Sequence, residues 1–315
     1  MKYKQDEKLK EINTTPKATN KQKQNAYFAL TATSLIWGTT WVVAKIAVQK
    51  TPALEVSYLR QFFAGFLVLI FFLIKGEKLP TWLQFRWLLV VSFFMFIINN
   101  GFSTWSVKYI PSGLAALIGS LYPLFVVLIE MIFFRNKNYT LLTFIGLFLG
   151  IIGIIIVFYE NAFHKHSDGY NFGIIICFIA MLSWSIGTIF IARNKYKMNS
   201  YYAMGWQMFI ASFFIYLMAD GTHNTTPFQN IPAQTWGAIA YLVVFGSLLA
   251  FAAFIYTIKY LPPAIASLYA YINPIVAIVV GSVVFADETL SLNVLFGSLV
   301  TLSGVYLVNI SLKKK

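Results

Sequence analysis

Long apolar segments alternate with short polar breaks along almost the whole chain. A helix needs about 20 apolar residues to cross a bilayer, and ten segments approach or exceed that length. Runs this long and continuously apolar lack the alternation of a membrane β-barrel. The pattern predicts an all-α polytopic membrane protein with ten transmembrane helices, near residues 27–47, 53–74, 82–105, 111–133, 141–158, 170–192, 200–219, 234–257, 263–285 and 292–311.

Composition agrees with this pattern. Of the 315 residues, 58% are hydrophobic and only 11% are charged, whereas soluble domains carry about 25% charged residues. Such a chain has too little polar surface for a soluble enzyme or a disordered protein. The net charge of +13 is spread over many short loops, which argues against nucleic-acid binding. Residues 1–26 are predicted to be a disordered, basic cytoplasmic tail.

The basic residues also predict an orientation, because cytoplasmic loops are enriched in Lys and Arg. With the N-terminus inside, most of the 24 basic residues fall on the cytoplasmic side, and the outside receives Lys45, Lys50, Arg60, Lys108 and Lys165. An even number of spans returns the C-terminus to the cytoplasm. We therefore expect a multi-pass protein of the plasma (inner) membrane with both termini cytoplasmic.

The second half of the chain repeats the first. Tyr109–Pro111 matches Tyr260–Pro262 at one offset, and Trp37 matches Trp184 at a slightly shorter one. Composition alone would match Leu with Leu, but it would not be expected to match tryptophan and proline in the same order.

Each half, 27–158 and 170–311, contains five predicted spans. Because five is odd, the second half enters the membrane from the opposite side, so the two halves are predicted to form an inverted repeat. Inverted repeats allow alternating access in transporters. A duplication retained only for structure would leave the same sequence pattern.

Several landmarks recur in these spans in a recognisable order: Leu35–Thr39, Tyr58–Arg60, Ala64, Pro123, Trp184, Asn273–Pro274, Asp287–Thr289, Gly297 and Gly304. With these landmarks the chain resembles an EamA-type transporter of the drug/metabolite transporter superfamily. The resemblance covers about residues 26–311 and implies ten helices, cytoplasmic termini and transport, often export, of small metabolites. The first half departs from the family pattern at Asn136–Asn138, whereas the second half keeps an acidic turn at Glu288.

Two prolines mark where helices are expected to be irregular. Pro123 and Pro274 lie about a dozen residues into their spans, which at 1.5 Å per residue is near the bilayer middle. Each lacks the N–H that would bond the carbonyl four residues earlier, and irregular backbone at this depth needs protein or water beside it. We predict that the prolines face each other across a central cavity, although a packing kink would give the same pattern. A second set of small residues predicts a close-packed helix seam instead: Gly146, Gly150, Gly153, Gly297 and Gly304.

Charges within the spans are few and energetically costly. Lys45 and Arg60 lie toward the outer ends of the first two spans, where they would attract a carboxylate or a phosphate. The alternative is that both snorkel to the lipid headgroups. Gln207 occupies the place of Arg60 in the repeat. Glu130, near the inner end of the fourth span, is interpreted as a partner for the basic residues that follow it, or as a proton carrier.

These features favour a secondary transporter of small organic metabolites such as amino acids or related anionic or zwitterionic compounds. An intramembrane enzyme and a channel-like pore are the alternatives. The enzyme would need His, Cys or paired carboxylates at depth, but the three histidines fall in loops and Cys177 lies in an apolar run. No cofactor or metal is expected, and a homodimer is left open. The predicted substrate-binding and pore residues are Trp37, Lys45, Arg60, Asn99, Asn100, Ser120, Tyr122, Pro123, Trp184, Gln207, Tyr271, Asn273 and Pro274.

Overall fold

The computed structural model is a bundle of helices, which we number α1 to α10. It describes residues 19–134, 139–162, 168–192, 198–222, 225–261, 263–266, 268–286, 288 and 291–313, and no β-strand occurs among them. The helices are α1 Asn20–Val48, α2 Ala53–Ile74, α3 Trp82–Ser106, α4 Ser112–Gly119 and Tyr122–Phe134, α5 Leu141–Ala162, α6 Tyr170–Ala192, α7 Ser200–Gly221, α8 Ala233–Tyr260, α9 Pro263–Ala266 and Tyr269–Val284, and α10 Leu292–Lys313.

Most of these helices have the length and composition of membrane spans. Within the described residues, eight are long and apolar enough to cross a bilayer, and Leu141–Val157 and Tyr269–Val284 are shorter apolar helices. Large apolar side chains such as Phe148 and Phe296 are exposed on the outer faces of α5 and α10, as expected for surfaces that contact lipid. The predicted class, an all-α multi-pass membrane protein, is confirmed.

The first helix begins earlier than the sequence analysis predicted. Thr19 caps α1: its hydroxyl accepts the backbone N–H of Gln22, and the Gln22 side chain accepts the backbone N–H of Thr19. Such a reciprocal capping box satisfies two N–H groups that a helix start leaves free. The tail predicted to extend to residue 26 is therefore too long, because residues 20–26 are helical. Residues 1–18 lie outside the described part of the chain.

Two pairs of long helices pack through glycines. In the α5–α10 pair, a methyl group at Gly146 would lie 2.6 Å from the carbonyl oxygen of Gly304, and one at Gly297 would lie 2.8 Å from that of Gly153. In the α2–α7 pair, a methyl group at Gly65 would lie 2.5 Å from the backbone nitrogen of Phe209. The close packing predicted for the glycines of the fifth and tenth spans is confirmed, and the structure shows that the two spans pack against each other with room only for hydrogen between their backbones.

The other helices surround the centre of the bundle in two matching sets. Helix α1 packs against α8 and α9, and α6 packs against α3 and α4. Helices α3 and α8 each contain a π-helical segment, Phe93–Ile98 and Leu242–Leu249. Helix α4 is interrupted between Gly119 and Tyr122, and Pro123 lies in the first turn of its second half, where a missing N–H costs nothing.

The glycine seam generates a stability prediction. Gly146→Ala should destabilise the folded protein by about 1–3 kcal/mol, because its methyl group meets backbone atoms that cannot rotate away. Gly237→Ala is the matched control, since nothing lies within 4 Å of a methyl group there. Thermal unfolding of the purified protein in detergent measures both. A Gly146→Ala variant as stable as the wild type would contradict the seam.

Candidate functional site

A cavity of about 120 Å³ lies at the centre of the bundle, where α1, α2, α3, α4, α6, α8 and α9 meet. Its wall combines aromatic and polar side chains. Eight of the thirteen predicted site residues line it: Trp37, Arg60, Asn99, Asn100, Ser120, Tyr122, Trp184 and Asn273.

Arg60 is the charged residue of this wall. Its side chain is buried, with 8% of its surface exposed. The Nε atom donates a hydrogen bond to the Ser247 hydroxyl at 2.9 Å. In the described part of the chain no carboxylate forms an ion pair with the guanidinium. An arginine keeps its charge in proteins and carries five N–H donors, so four donors are left for water or a ligand.

The π-helical segment of α8 positions both Arg60 and Trp37. A π-helical turn changes the hydrogen-bond register and leaves carbonyls accessible to side chains. The indole N–H of Trp37 donates to the carbonyl of Gly246 at 3.1 Å. A methyl group at Gly246 would lie 3.2 Å from Nη2 of Arg60, so a glycine lets the guanidinium lie against the backbone.

The other half of the bundle contains a related contact. The Ser183 hydroxyl, adjacent to Trp184, donates to the carbonyl of Phe94 at 2.8 Å, and Phe94 belongs to the π-helical segment of α3. Both π-helical segments therefore accept a side-chain hydrogen bond from the helix that carries a repeat-related tryptophan.

Amide side chains supply further polar groups. Asn99 donates from Nδ2 to the carbonyl of Ala180 at 3.0 Å and so links α3 to α6. Within the described residues, the side chain of Asn100 forms no hydrogen bond, and Oδ1 of Asn273 is buried without a partner. An unsatisfied buried polar group is costly, so these two amides are the cavity groups most readily satisfied by a ligand.

A second cavity, of about 540 Å³, lies between α3, α6, α7 and α8. Gln84, in the first turn of α3, and Ser200, the first residue of α7, both line it. It therefore reaches one end of the bundle, which we call the Gln84 end. Gln207 lines this second cavity and not the first.

Four aromatic residues border both cavities and separate them: Tyr122, Trp184, Phe251 and Tyr269. We call this set the aromatic septum. The rings of Tyr122 and Tyr269 stack with centroids 5.9 Å apart, and Trp184 contacts Phe251 at 6.3 Å. Trp37 packs against the septum, with centroids 5.0 Å from Phe251 and 5.1 Å from Tyr269.

Comparison with known proteins gives the family. The model of the EamA-like transporter family matches residues 24–159 and matches again over residues 171–310. The chain belongs to the EamA-like transporter family. This family is part of the drug/metabolite transporter superfamily, so the resemblance expected from the sequence is confirmed.

Relatives of this EamA-like chain are also named as transporters. It is 30% identical over 266 residues to YedA, an uncharacterized inner membrane transporter of Escherichia coli, covering 84% of this chain and 83% of that protein. It is 27% identical to an uncharacterized transporter of Synechocystis, covering 89% and 88%. A solved crystal structure aligns with a TM-score of 0.64 at 15% identity, covering 91% of this chain and 98% of that one, which shows a shared fold. These names point away from an enzyme.

Besides Gln207, which lines only the second cavity, four predicted site residues line neither of these two cavities. Neither Pro123 nor Pro274 lines either cavity, so the prediction that the prolines face each other across the central cavity is corrected. The residue before each proline, Tyr122 and Asn273, lines the central cavity instead. The prolines set the backbone path, and their buried rings pack into the bundle.

Tyr271 and Lys45 are the other two. Tyr271 points toward α10, where its hydroxyl accepts a hydrogen bond from Asn309 and its ring contacts Tyr306. Lys45 forms an ion pair with Glu288 at 2.6 Å and does not line the cavity.

Glu130 accepts a weak hydrogen bond from the Tyr139 hydroxyl at 3.4 Å. The basic residues that follow Glu130 in the sequence lie outside the described residues.

Tyr269 and Phe251, which border both cavities, are among the cavity residues that sequence reasoning missed. A signal for Tyr269 was present: Ala266, Tyr269, Ala270 and Asn273 recur at i, i+3, i+4 and i+7, which is one face of a helix, and all four border a cavity. Tyr271 falls on a different face. Phe251 offered no such signal, because apolar residues surround it in the sequence.

Proposed function

We propose that this protein is a secondary transporter that exports small acidic or zwitterionic organic metabolites, such as amino acids, by alternating access. The observation that carries the proposal is the buried Arg60 guanidinium, which borders the central cavity and has no carboxylate partner among the described residues. Charged groups within membrane spans mark substrate pathways when they face an interior cavity. A carboxylate of the substrate would supply the missing anion.

The rest of the cavity fits such a substrate. Asn100 and Asn273 have hydrogen-bonding groups left for an ammonium or a hydroxyl of the ligand. At about 120 Å³ the cavity is smaller than the roughly 300–1,000 Å³ pockets of drug-sized ligands, which favours a small metabolite. No His, Cys or carboxylate is found among the residues that line it, which weighs against the alternative of an intramembrane enzyme.

Ten spans arranged as an inverted repeat would provide the alternating access. The packing supports this arrangement, because the contacts of α1 with α8 and α9 correspond to those of α6 with α3 and α4. The pairs α2–α7 and α5–α10 each join a helix to its counterpart in the other half. Inverted repeats exchange their two conformations by moving one repeat against the other around a central site.

The direction of transport and the orientation belong to the same proposal. The larger cavity reaches the Gln84 end, and the positive-inside rule places this end in the cytoplasm. A cavity at the cytoplasmic end, with the aromatic septum between it and the central cavity, gives a substrate a route in from that side, which export requires. Location of this protein in the inner membrane is supported by its relative YedA, whose name describes an inner membrane transporter.

Cysteine labelling tests the orientation. Glu77, between α2 and α3, and Gln229, between α7 and α8, are both exposed and lie in connections at opposite ends of the bundle. In a Cys177→Ser background, a membrane-impermeant maleimide added to intact cells should label Gln229→Cys and spare Glu77→Cys. Labelling of Glu77→Cys alone would show that the orientation is reversed.

Substitution of Arg60 tests the substrate site. Hydrogen bonds to charged groups contribute about 1.5–3 kcal/mol, so Arg60→Gln should weaken apparent substrate affinity roughly 10- to 100-fold. The substrate is chosen from a panel of radiolabelled amino acids as one that wild-type vesicles transport, and flux is then measured over a range of concentrations.

Lys50→Gln is the control for this measurement. Lys50 is an exposed basic residue after α1, so its removal changes the net charge equally but should leave the apparent affinity unchanged. Equal affinities for the wild type and Arg60→Gln, at matched amounts of inserted protein, would remove Arg60 from the substrate site.

A further inference from the structure

Glu288 joins three helices at the end of the bundle opposite the Gln84 end. Its Oε1 accepts from the Lys45 ammonium at 2.6 Å and from the backbone N–H of Ser112 at 2.8 Å. Its Oε2 accepts from the Ser112 hydroxyl at 2.6 Å. Lys45 lies near the end of α1, Ser112 is the first residue of α4, and Glu288 follows α9. We call this set the Glu288 network.

The network is almost fully withdrawn from solvent. Glu288 is 8% exposed and Lys45 is 9% exposed, and the ammonium also lies 5.0 Å from the centre of the Phe285 ring. A charge-assisted hydrogen bond in such surroundings is strong, and removing one partner leaves the other buried and uncompensated. The three helix ends are therefore held together firmly at this one point.

This network lies next to the central cavity along the same three helices. Ala44, adjacent to Lys45, lines the cavity, and so does Ala116, one helical turn after Ser112. On α9, Asn273 lines the cavity and Gly281, two turns further on, packs against Glu288 and Ser112. Glu288, just after α9, bonds to Lys45 of α1 and to Ser112 of α4, so it ties the three helices together on this side of the cavity.

The three residues of the Glu288 network are not repeated at the corresponding sequence positions of the other half. In the sequence repeat, Lys45 corresponds to Ala192, Ser112 to Pro263 and Glu288 to Lys137. An alanine and a proline offer no side-chain donor, and proline also lacks the backbone N–H. At these three positions the repeat therefore supplies no counterpart of the Glu288 network.

We infer that Glu288 is a positioning residue that holds the central cavity closed toward the Lys45 end. Opening toward that end requires Glu288 to release Lys45 or Ser112. The inference rests on the proposed transport function, because a closing contact has a role only if the cavity opens to both sides in turn. It also implies that closure at the Lys45 end and closure at the Gln84 end differ in stability.

Accessibility of a cavity cysteine tests the inference without any substrate. The reporter is Ser120→Cys in the Cys177→Ser background, because Ser120 lines the cavity and is 2% exposed. A membrane-impermeant maleimide is added to right-side-out and to inside-out vesicles. Glu288→Gln should raise the labelling rate at least about fivefold from the Lys45 end, because loss of a charged contact shifts a two-state equilibrium toward the open form. Labelling from the Gln84 end should not rise.

Related variants separate closure from general stability. Lys45→Met should give the same one-sided rise, the double variant no more than the larger single effect, and Ser112→Ala a smaller rise. Glu55→Gln is the matched control: Glu55 is also a buried carboxylate, but it accepts from Thr226 and Tyr58 and does not join α1, α4 and α9. It should label like the wild type.

Two results would overturn the inference. One is an unchanged labelling rate in Glu288→Gln and Lys45→Met, and the other is an equal rise from both sides of the membrane, which would indicate loosened structure. Either result leaves the flux measurements on Arg60→Gln untouched. Conversely, an absence of flux in wild-type vesicles would remove the proposed function while the labelling still reports whether Glu288 closes this end.

Discussion

A bilayer leaves no water for a backbone N–H or for an ionised side chain, and this constraint governs the whole structure. Helices satisfy the backbone over most of the chain. The departures from regular helix gather around the central cavity: the break between Gly119 and Tyr122 and the two π-helical segments. There, carbonyls of Gly246 and Phe94 accept hydrogen bonds from Trp37 and Ser183. Irregular backbone is tolerated because it faces protein.

The same constraint bears on the two cations that are buried in the described part of the chain, which have different partners. Lys45 is neutralised by Glu288 at the edge of the bundle, whereas Arg60 borders the cavity with a hydroxyl as its only hydrogen-bond partner among the described residues. If both cations had only a structural role, an anionic partner would be expected for each of them. Leaving one guanidinium without an anion is costly for folding, and we interpret it as a site prepared for an acidic ligand. Closure of one end and binding at the centre thus use different cations.

Local sequence predicted the membrane class, the glycine seam and much of the cavity wall. Trp37, Arg60 and Trp184 were recognisable because each is unusual within an apolar span. The Lys45–Glu288 pair was not, since it joins residues 243 positions apart and depends on how α1 meets the end of α9. Tyr271 was predicted for the cavity, but it faces α10, and Tyr269 lies on the helix face that Asn273 shares. The early start of α1 was missed because its first residues are polar, and a hydropathy pattern detects only the apolar part of a helix. The Thr19–Gln22 capping box was nevertheless present in the sequence.

The central claim is that Arg60 makes the cavity selective for an acid. The most direct measurement is equilibrium binding to the purified protein, followed by the fluorescence of the cavity tryptophans, with each amino acid compared with its own carboxamide. The two ligands of a pair have nearly the same size and differ mainly in the carboxylate charge. The account predicts that amino acids bind at least about tenfold more tightly than their amides, because only the carboxylate pairs with the guanidinium. Equal affinities across the pairs would contradict it.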